Sequence, residues 1–188
     1  LVLGVVWRSS PPTTGIWSLG VATYARESFG AAGQLDAVYV PVGMGSGISA
    51  VIGVRDLLGL RTEVVGVVAE QAPATARSVR AGRVVVTGTA KTFIDGVACR
   101  VPDGEAIAVI CAGAARVVTV SEDAAAEAMR VLFTATHNLA EPAGAVALAA
   151  LLAERTWAAG KRVAVILTGG NVDAGALVQV LAGQTPTV

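Results

Sequence analysis

Ala37-Val38-Tyr39-Val40-Pro41-Val42-Gly43-Met44-Gly45-Ser46-Gly47-Ile48 is the stretch on which the fold turns. Ala37 to Val42 is a continuous apolar run rich in β-branched side chains, it meets a glycine-rich turn at Gly43 to Gly47, and Ile48 to Leu58 can continue as a helix. A second apolar run, Val64 to Val68, follows a short turn. Two strands that are apolar throughout, joined by a helix, predict an α/β protein with a parallel sheet covered on both faces. At the strand-to-helix junction the unpaired N–H groups of the turn and the positive end of the helix dipole both favour an anion, and phosphate is the natural ligand. A tight turn that binds nothing leaves the three glycines unexplained. A dinucleotide is the rival ligand: Gly45, Gly47 and Ala50 satisfy G-x-G-x-x-A, and Glu70 ends the next strand about where a ribose-binding acid belongs. Spacing alone does not choose between them.

Working outward, Leu1 to Val6 reads as a strand entering from something upstream, and Ser9 to Gly15 is turn-prone. Leu19 to Phe29 suits a helix that Gly30 to Gly33 can end. Beyond the central unit, Arg83 to Val86 and Ala106 to Ile110 fit short strands or parts of helices equally well. Ala115 to Val120 reads as a strand. Ser121 can cap the helix that follows, with Glu122 and Asp123 complementing its positive end, and that helix reaches Thr136. Pro142 suits a first helical position and opens an Ala/Leu-rich helix to about Glu154, apolar nearly all round and therefore central. Lys161 and Arg162 lead into a last buried strand, Val163 to Leu167. It ends in Thr168-Gly169-Gly170-Asn171, where two glycines let a ligand come close. His137, the single histidine, stands near a helix end and is read as a local hydrogen-bonding or capping residue.

Composition excludes several functions. With 54% hydrophobic residues in 188, the chain can bury a sizeable core. The longest apolar run, Ala143 to Ala153, is well short of the roughly 20 residues a membrane-spanning helix needs. Fourteen basic residues balance fourteen acidic ones without clustering, which argues against nucleic acid and for a small-molecule partner. Cys99 and Cys111 are too few for a disulfide framework, and no signal peptide opens the chain, so the expected location is the cytoplasm.

Val40-Pro41-Val42-Gly43-Met44-Gly45-Ser46-Gly47 resembles the phosphate-binding loop of the threonine/serine dehydratases, members of the tryptophan-synthase-β-like class of pyridoxal-phosphate (PLP) enzymes. Four more segments resemble that family in the same order: Val65 to Glu70, Thr92 to Ala98, Ala140 to Ala145, and Leu167 to Asp173. A nicotinamide enzyme has no reason to carry the last two. The resemblance runs from about Leu19 to Asp173 and implies a three-layer α/β fold with a mainly parallel sheet, part of the fold-type-II large domain. It implies that Gly43, Met44, Gly45, Ser46 and Gly47 hold the cofactor phosphate and that the Thr168 hydroxyl meets the pyridine nitrogen, where the family usually has Ser or Cys. A neutral hydroxyl there suits β-elimination over transamination. By the same resemblance Glu141 lies near the cofactor ring, while Asn171 and Asp95 position their neighbours. Glu70 matches a carboxylate that helps to hold a divalent cation in some relatives. Here the second carboxylate is replaced by Ala76, which weighs against a metal because hard cations want several oxygens.

Family chemistry needs a lysine for the Schiff base to PLP, in a Ser-Phe-Lys-like motif that these residues lack. Lys91 and Lys161 are the only lysines, and neither has that context. The segment from Trp7 to Trp17 also departs from the family pattern. The expectation is therefore the C-terminal part of the PLP-binding large domain, inactive by itself, from a parent that converts L-threonine or L-serine to a 2-oxo acid and ammonia. A homodimer is expected by analogy with the family. The alternative is a non-catalytic module that binds a phosphate or a dinucleotide.

Overall fold

The computed structural model describes residues 14–187, so the expected strand at Leu1 to Val6 lies outside the described residues. Four parallel strands, β1 (Ala37–Pro41), β2 (Glu63–Ala69), β3 (Arg116–Val120) and β4 (Val163–Val165), form one sheet in the order β3-β2-β1-β4. The described residues also form the helices α1 (Thr14–Ala32), α2 (Ser46–Leu57), α3 (Ala74–Ala81), α4 (Gly104–Gly113), α5 (Glu122–Thr136), α6 (Pro142–Ala153), α7 (Arg155–Ala158) and α8 (Ala174–Leu181). A single 3₁₀ turn occupies Asp95–Val97. Among the described residues, no helix is long and apolar enough to cross a membrane.

The unbroken apolar runs have a direct cause. Successive side chains of a strand point to opposite faces, and both faces of β1 and β2 are covered. Ala37, Tyr39, Val65, Val67 and Ala69 pack in one cluster with Ala143, Val146, Ala147 and Ala150 of α6. Val38, Val40, Val64 and Val68 pack in a second cluster with Ile48, Val51 and Ile52 of α2 and Ala25 and Phe29 of α1. Gly66 faces that second layer, where a Cβ would stand 3.0 Å from Ile48 Cδ1 and 3.1 Å from Val42 Cγ2. The central role expected of α6 follows: Pro142 to Ala147, Ala149 and Ala150 are buried.

Local signals set several helix ends. Ser121 accepts a hydrogen bond from the Ala124 N–H at 3.2 Å, and Asp103 accepts one from the Ala106 N–H at 2.9 Å. His137 ends α5 in the left-handed conformation, with φ 55°, and its N–H donates to the Phe133 carbonyl. Asp103 and its cap make Ala106 to Ile110 helical, whereas Arg83 to Val86 form no regular element. Two expectations need correction. The first helix spans Thr14–Ala32 rather than Leu19 to Phe29. The last strand is neither as long nor as buried as expected: β4 ends at Val165, and Val163 to Leu167 are all half-buried. In the described sheet β4 is the edge and pairs with β1 alone.

At the amino ends of the strands a polar clamp ties α6 to the sheet. Arg116, the first residue of β3, donates to the Glu154 carboxylate and, at 3.0 Å, to that of Glu63, the first residue of β2. The Tyr39 hydroxyl also donates to Glu154. Two cations approach the Trp157 ring, the Arg116 guanidinium 4.9 Å and the Lys161 Nζ 3.3 Å from its centre. Hydrogen bonding from Arg116 lowers the Glu154 carboxyl, while burial, with Glu154 alongside, pushes the Tyr39 phenol up to about 12.

Candidate functional site

The opposite edge, at the carboxyl ends of the strands, collects the other notable residues. β1 runs directly into Gly43 to Gly47, and the Val42 N–H continues the ladder by donating to the Val67 carbonyl at 2.8 Å. Gly45 then caps α2 with φ 100°, a conformation L side chains rarely adopt, and a Cβ there would stand 2.7 Å from the Ala106 Cβ. Its carbonyl accepts the Ser49 N–H at 3.0 Å. The N–H groups from Gly43 to Ile48 have no acceptor among the described residues. Those in the first turn of α2 point out of the helix end by the geometry of the α-helix. This is the electrostatic arrangement that receives an anion.

Three further segments close on this turn through contacts too tight for side chains. A Cβ on Gly43 would come within 2.8 Å of the Gly96 carbonyl oxygen, and one on Gly96 would lie 2.7 Å from the Ala143 Cβ and 3.7 Å from Glu141 Oε1. A Cβ on Gly169 would meet that same carboxylate at 2.9 Å. Glycines thus bring the β1–α2 turn, the 3₁₀ turn, the start of α6 and the loop after β4 together. β4 lies beside β1 and parallel to it, so Thr168 and the glycine turn leave the same edge of the sheet. In parallel α/β sheets that edge is where ligands bind.

Glu141 is the hub of the cluster. Its N–H donates to the Gly169 carbonyl at 3.0 Å, and its Oε2 accepts the Asn171 N–H at 3.1 Å. Burial raises its carboxyl above the usual range, the Asn171 N–H opposes that, and the charge of Asp95 adds to it. Asp95 itself accepts the Gly96 N–H at 2.8 Å. Thr168 is exposed, and its hydroxyl has no partner among the described residues. Ser46 is half-buried at the first position of α2, again with no side-chain partner among them. Met44 is exposed, and its sulfur accepts from the buried Cys99 thiol at 3.7 Å.

Glu70 does not join this group. It follows β2, exposed, with its N–H bonded to the Val120 carbonyl at 2.9 Å. Among the described residues no cluster of three or more His, Cys, Asp or Glu side chains gathers there or elsewhere. Lys161 precedes β4 at the amino end of the sheet, its ammonium on Trp157, and Lys91 is exposed in the irregular segment before the 3₁₀ turn. Sequence reasoning missed Tyr24, whose hydroxyl donates to the Gly47 carbonyl at 3.1 Å, and it included Gly144 only within the Ala140 to Ala145 segment, without the contact in which a Cβ would meet the Gly169 oxygen at 2.6 Å. Nothing local marks either residue, because each acquires its partner only when distant segments pack.

Fold and site together define a parallel α/β protein with a glycine turn, its N–H groups without acceptors among the described residues, next to a carboxylate and a hydroxyl at one sheet edge. The family model described as pyridoxal-phosphate dependent enzyme matches residues 12–169, and the chain belongs to that family. It is 38% identical over 157 residues to the phenylserine dehydratase of Ralstonia pickettii, covering 83% of this chain and 48% of that protein. It is 33% identical over 140 residues to the L-threonine ammonia-lyase of Thermotoga maritima, covering 74% of this chain and 35% of that protein. The processed form of threonine deaminase isoform 2 from Solanum lycopersicum superimposes with a TM-score of 0.84 at 26% identity, over 88% of this chain and 49% of that one. The chain thus spans about half the length, or less, of the relatives it matches. Membership of this family takes the place of the dinucleotide reading of the Gly45-x-Gly47 spacing.

Proposed function

We propose that these residues form the phosphate- and ring-holding part of a PLP-dependent dehydratase of small β-hydroxy-amino acids, with L-threonine and L-serine as the leading substrates. The observation that carries this is the meeting, at one sheet edge, of a glycine-rich turn whose N–H groups have no acceptor among the described residues, a half-buried carboxylate and a hydroxyl without a partner among them. The fit to PLP is chemical. A phosphate needs several N–H donors and close backbone approach, which Gly43 to Gly47 offer, with the Ser46 hydroxyl available as a further donor. Gly169 and Gly170 lack side chains because Glu141 and the Leu139 carbonyl stand where a Cβ would, at 2.9 and 2.5 Å, and this close packing fixes the loop that carries the exposed Thr168.

When bound, PLP supplies the electron sink that allows an α-proton to leave and a β-hydroxyl to be expelled, giving a 2-oxo acid and ammonia after hydrolysis. This chain's residues do the rest of the holding. Thr168 would offer the pyridine nitrogen a neutral hydroxyl, which would not enforce a protonated ring. Glu141, fixed by the Asn171 N–H and raised by burial, would carry a proton beside the bound ring at a higher pH than an exposed carboxylate does. The Schiff-base lysine comes from outside these residues, since Lys161 is held at the far edge by Trp157 and Lys91 lies in an exposed connection. A divalent cation at Glu70 forms no part of this reading. The parent protein acts on a small amino acid, as a homodimer by analogy with the family.

The test uses the full-length protein that carries these residues. Release of 2-oxo acid is measured with threonine, serine, phenylserine and 3-hydroxyaspartate, and the PLP adduct is reduced with borohydride and mapped by peptide mass. Turnover of threonine or serine, with the label outside residues 1–188, is expected. Preference for phenylserine or hydroxyaspartate corrects the substrate. A stoichiometric label on Lys91 overturns the assignment of the lysine. Absence of PLP binding altogether leaves the phosphate-module reading in its place.

A further inference from the structure

α1 reaches the glycine turn through a polar contact. Tyr24, half-buried between α1 and α2, donates its hydroxyl to the Gly47 carbonyl at 3.1 Å, bridging 23 residues of sequence. A Cβ on Gly47 would stand in ordinary contact with that hydroxyl, at 3.4 Å. Burial raises the phenol far above its ordinary range, so it stays a neutral donor throughout the working pH of an enzyme.

The peptide that Tyr24 grips is significant. The Gly47 carbonyl belongs to the Gly47–Ile48 peptide, and the N–H of that peptide is one of the free donors at the amino end of α2. A hydrogen bond to a carbonyl polarises its peptide and makes the attached N–H a stronger donor. It also fixes the plane of the peptide, and hence the direction of that N–H. The framework around it is rigid, because Ala25 and Phe29 on α1 and Ile48, Val51 and Ile52 on α2 share one buried cluster.

We infer that Tyr24 is a positioning residue for the phosphate turn: its hydroxyl, donated to the Gly47 carbonyl, orients and strengthens the Ile48 N–H, one of the α2 donors that would hold the phosphate of PLP. This rests on the reading of Gly43 to Gly47 as the phosphate site. Tyr24 touches no cofactor atom in this scheme and acts through the backbone.

The test compares full-length wild-type protein with Tyr24→Phe, stripped of cofactor and titrated with PLP and with pyridoxal, which lacks the phosphate. One hydrogen bond's net worth corresponds to a fold-change of roughly 3–10. PLP affinity is expected to fall by about that factor while pyridoxal affinity is unchanged, and inorganic phosphate should compete less well in the variant. Equal weakening of PLP and pyridoxal, or no weakening of PLP, overturns the proposal. If Tyr24→Phe fails to fold, judged by its far-ultraviolet spectrum and melting temperature, Tyr24→Met provides the same comparison. Should the wild-type protein itself bind PLP no more tightly than pyridoxal, the phosphate-site reading fails instead, and the two failures are distinct.

Discussion

Gly144 sits in the first turn of α6 with its backbone against the loop after β4, and Gly144→Ala is the substitution that best tests how tightly the two are joined. A Cβ there would lie 2.6 Å from the Gly169 oxygen, 3.2 Å from the Gly169 nitrogen and 3.6 Å from Glu141 Cγ. The nearest of these atoms are backbone and cannot swing aside as a side-chain tip would, so α6 must move from the loop or the loop from α6. Forcing a methyl into such a contact costs about 1–3 kcal/mol. Alanine's better helix propensity offsets at most about 1 kcal/mol, and less in a first turn. The steric cost wins, and a net loss of about 1–2 kcal/mol is expected. Urea unfolding measures it as a lower midpoint at unchanged slope. Gly53→Ala is the control: Gly53 lies inside α2 with nothing within 4 Å of its Cβ position, so about 0.5–1 kcal/mol of stabilisation is expected. If Gly144→Ala is as stable as wild type while Gly53→Ala gains, the close packing inferred between α6 and the Gly169 loop is refuted.

Two further outcomes are expected from the ionisable groups. Because burial raises the Glu141 carboxyl, its contribution to stability is fully present below the unfolded carboxylate pKa and is lost as pH rises through the folded value. Glu141→Gln keeps an acceptor for the Asn171 N–H and should flatten that loss in urea unfolding measured between about pH 4 and 7; an unchanged pH slope would count against it. Glu154 has the opposite sign, since Arg116 lowers its carboxyl: its stabilisation is present above the unfolded pKa and is lost as pH falls through the folded one. Arg116→Met should cost about 1–2 kcal/mol at neutral pH, a partly exposed ion pair plus stacking on Trp157, and should reduce the acid sensitivity of what remains. Equal losses in wild type and variant on acidification would show that the pair carries no such linkage.

Much of this molecule was legible from its residues. The unbroken apolar runs at Ala37 to Val42 and Val64 to Val68 required strands buried on both faces, and Ser121, Pro142 and His137 marked helix ends, because such signals are local and act through the neighbouring few residues. The glycine turn after β1 and the pair Gly169-Gly170 after β4 announced close approaches for the same reason. What approaches them was not local. That Gly43 rests on Gly96, that Gly169 rests on Glu141, and that Tyr24 holds Gly47 were decided only when β4 took its place beside β1 and α1 packed on α2. Burial was likewise a tertiary matter: Val163 to Leu167 are as apolar as the central strands, yet they remain half-buried because β4 is the edge of the described sheet. Sequence determines which faces must be covered and where the chain can bend. Which distant segments do the covering depends on strand order, and strand order is set by packing.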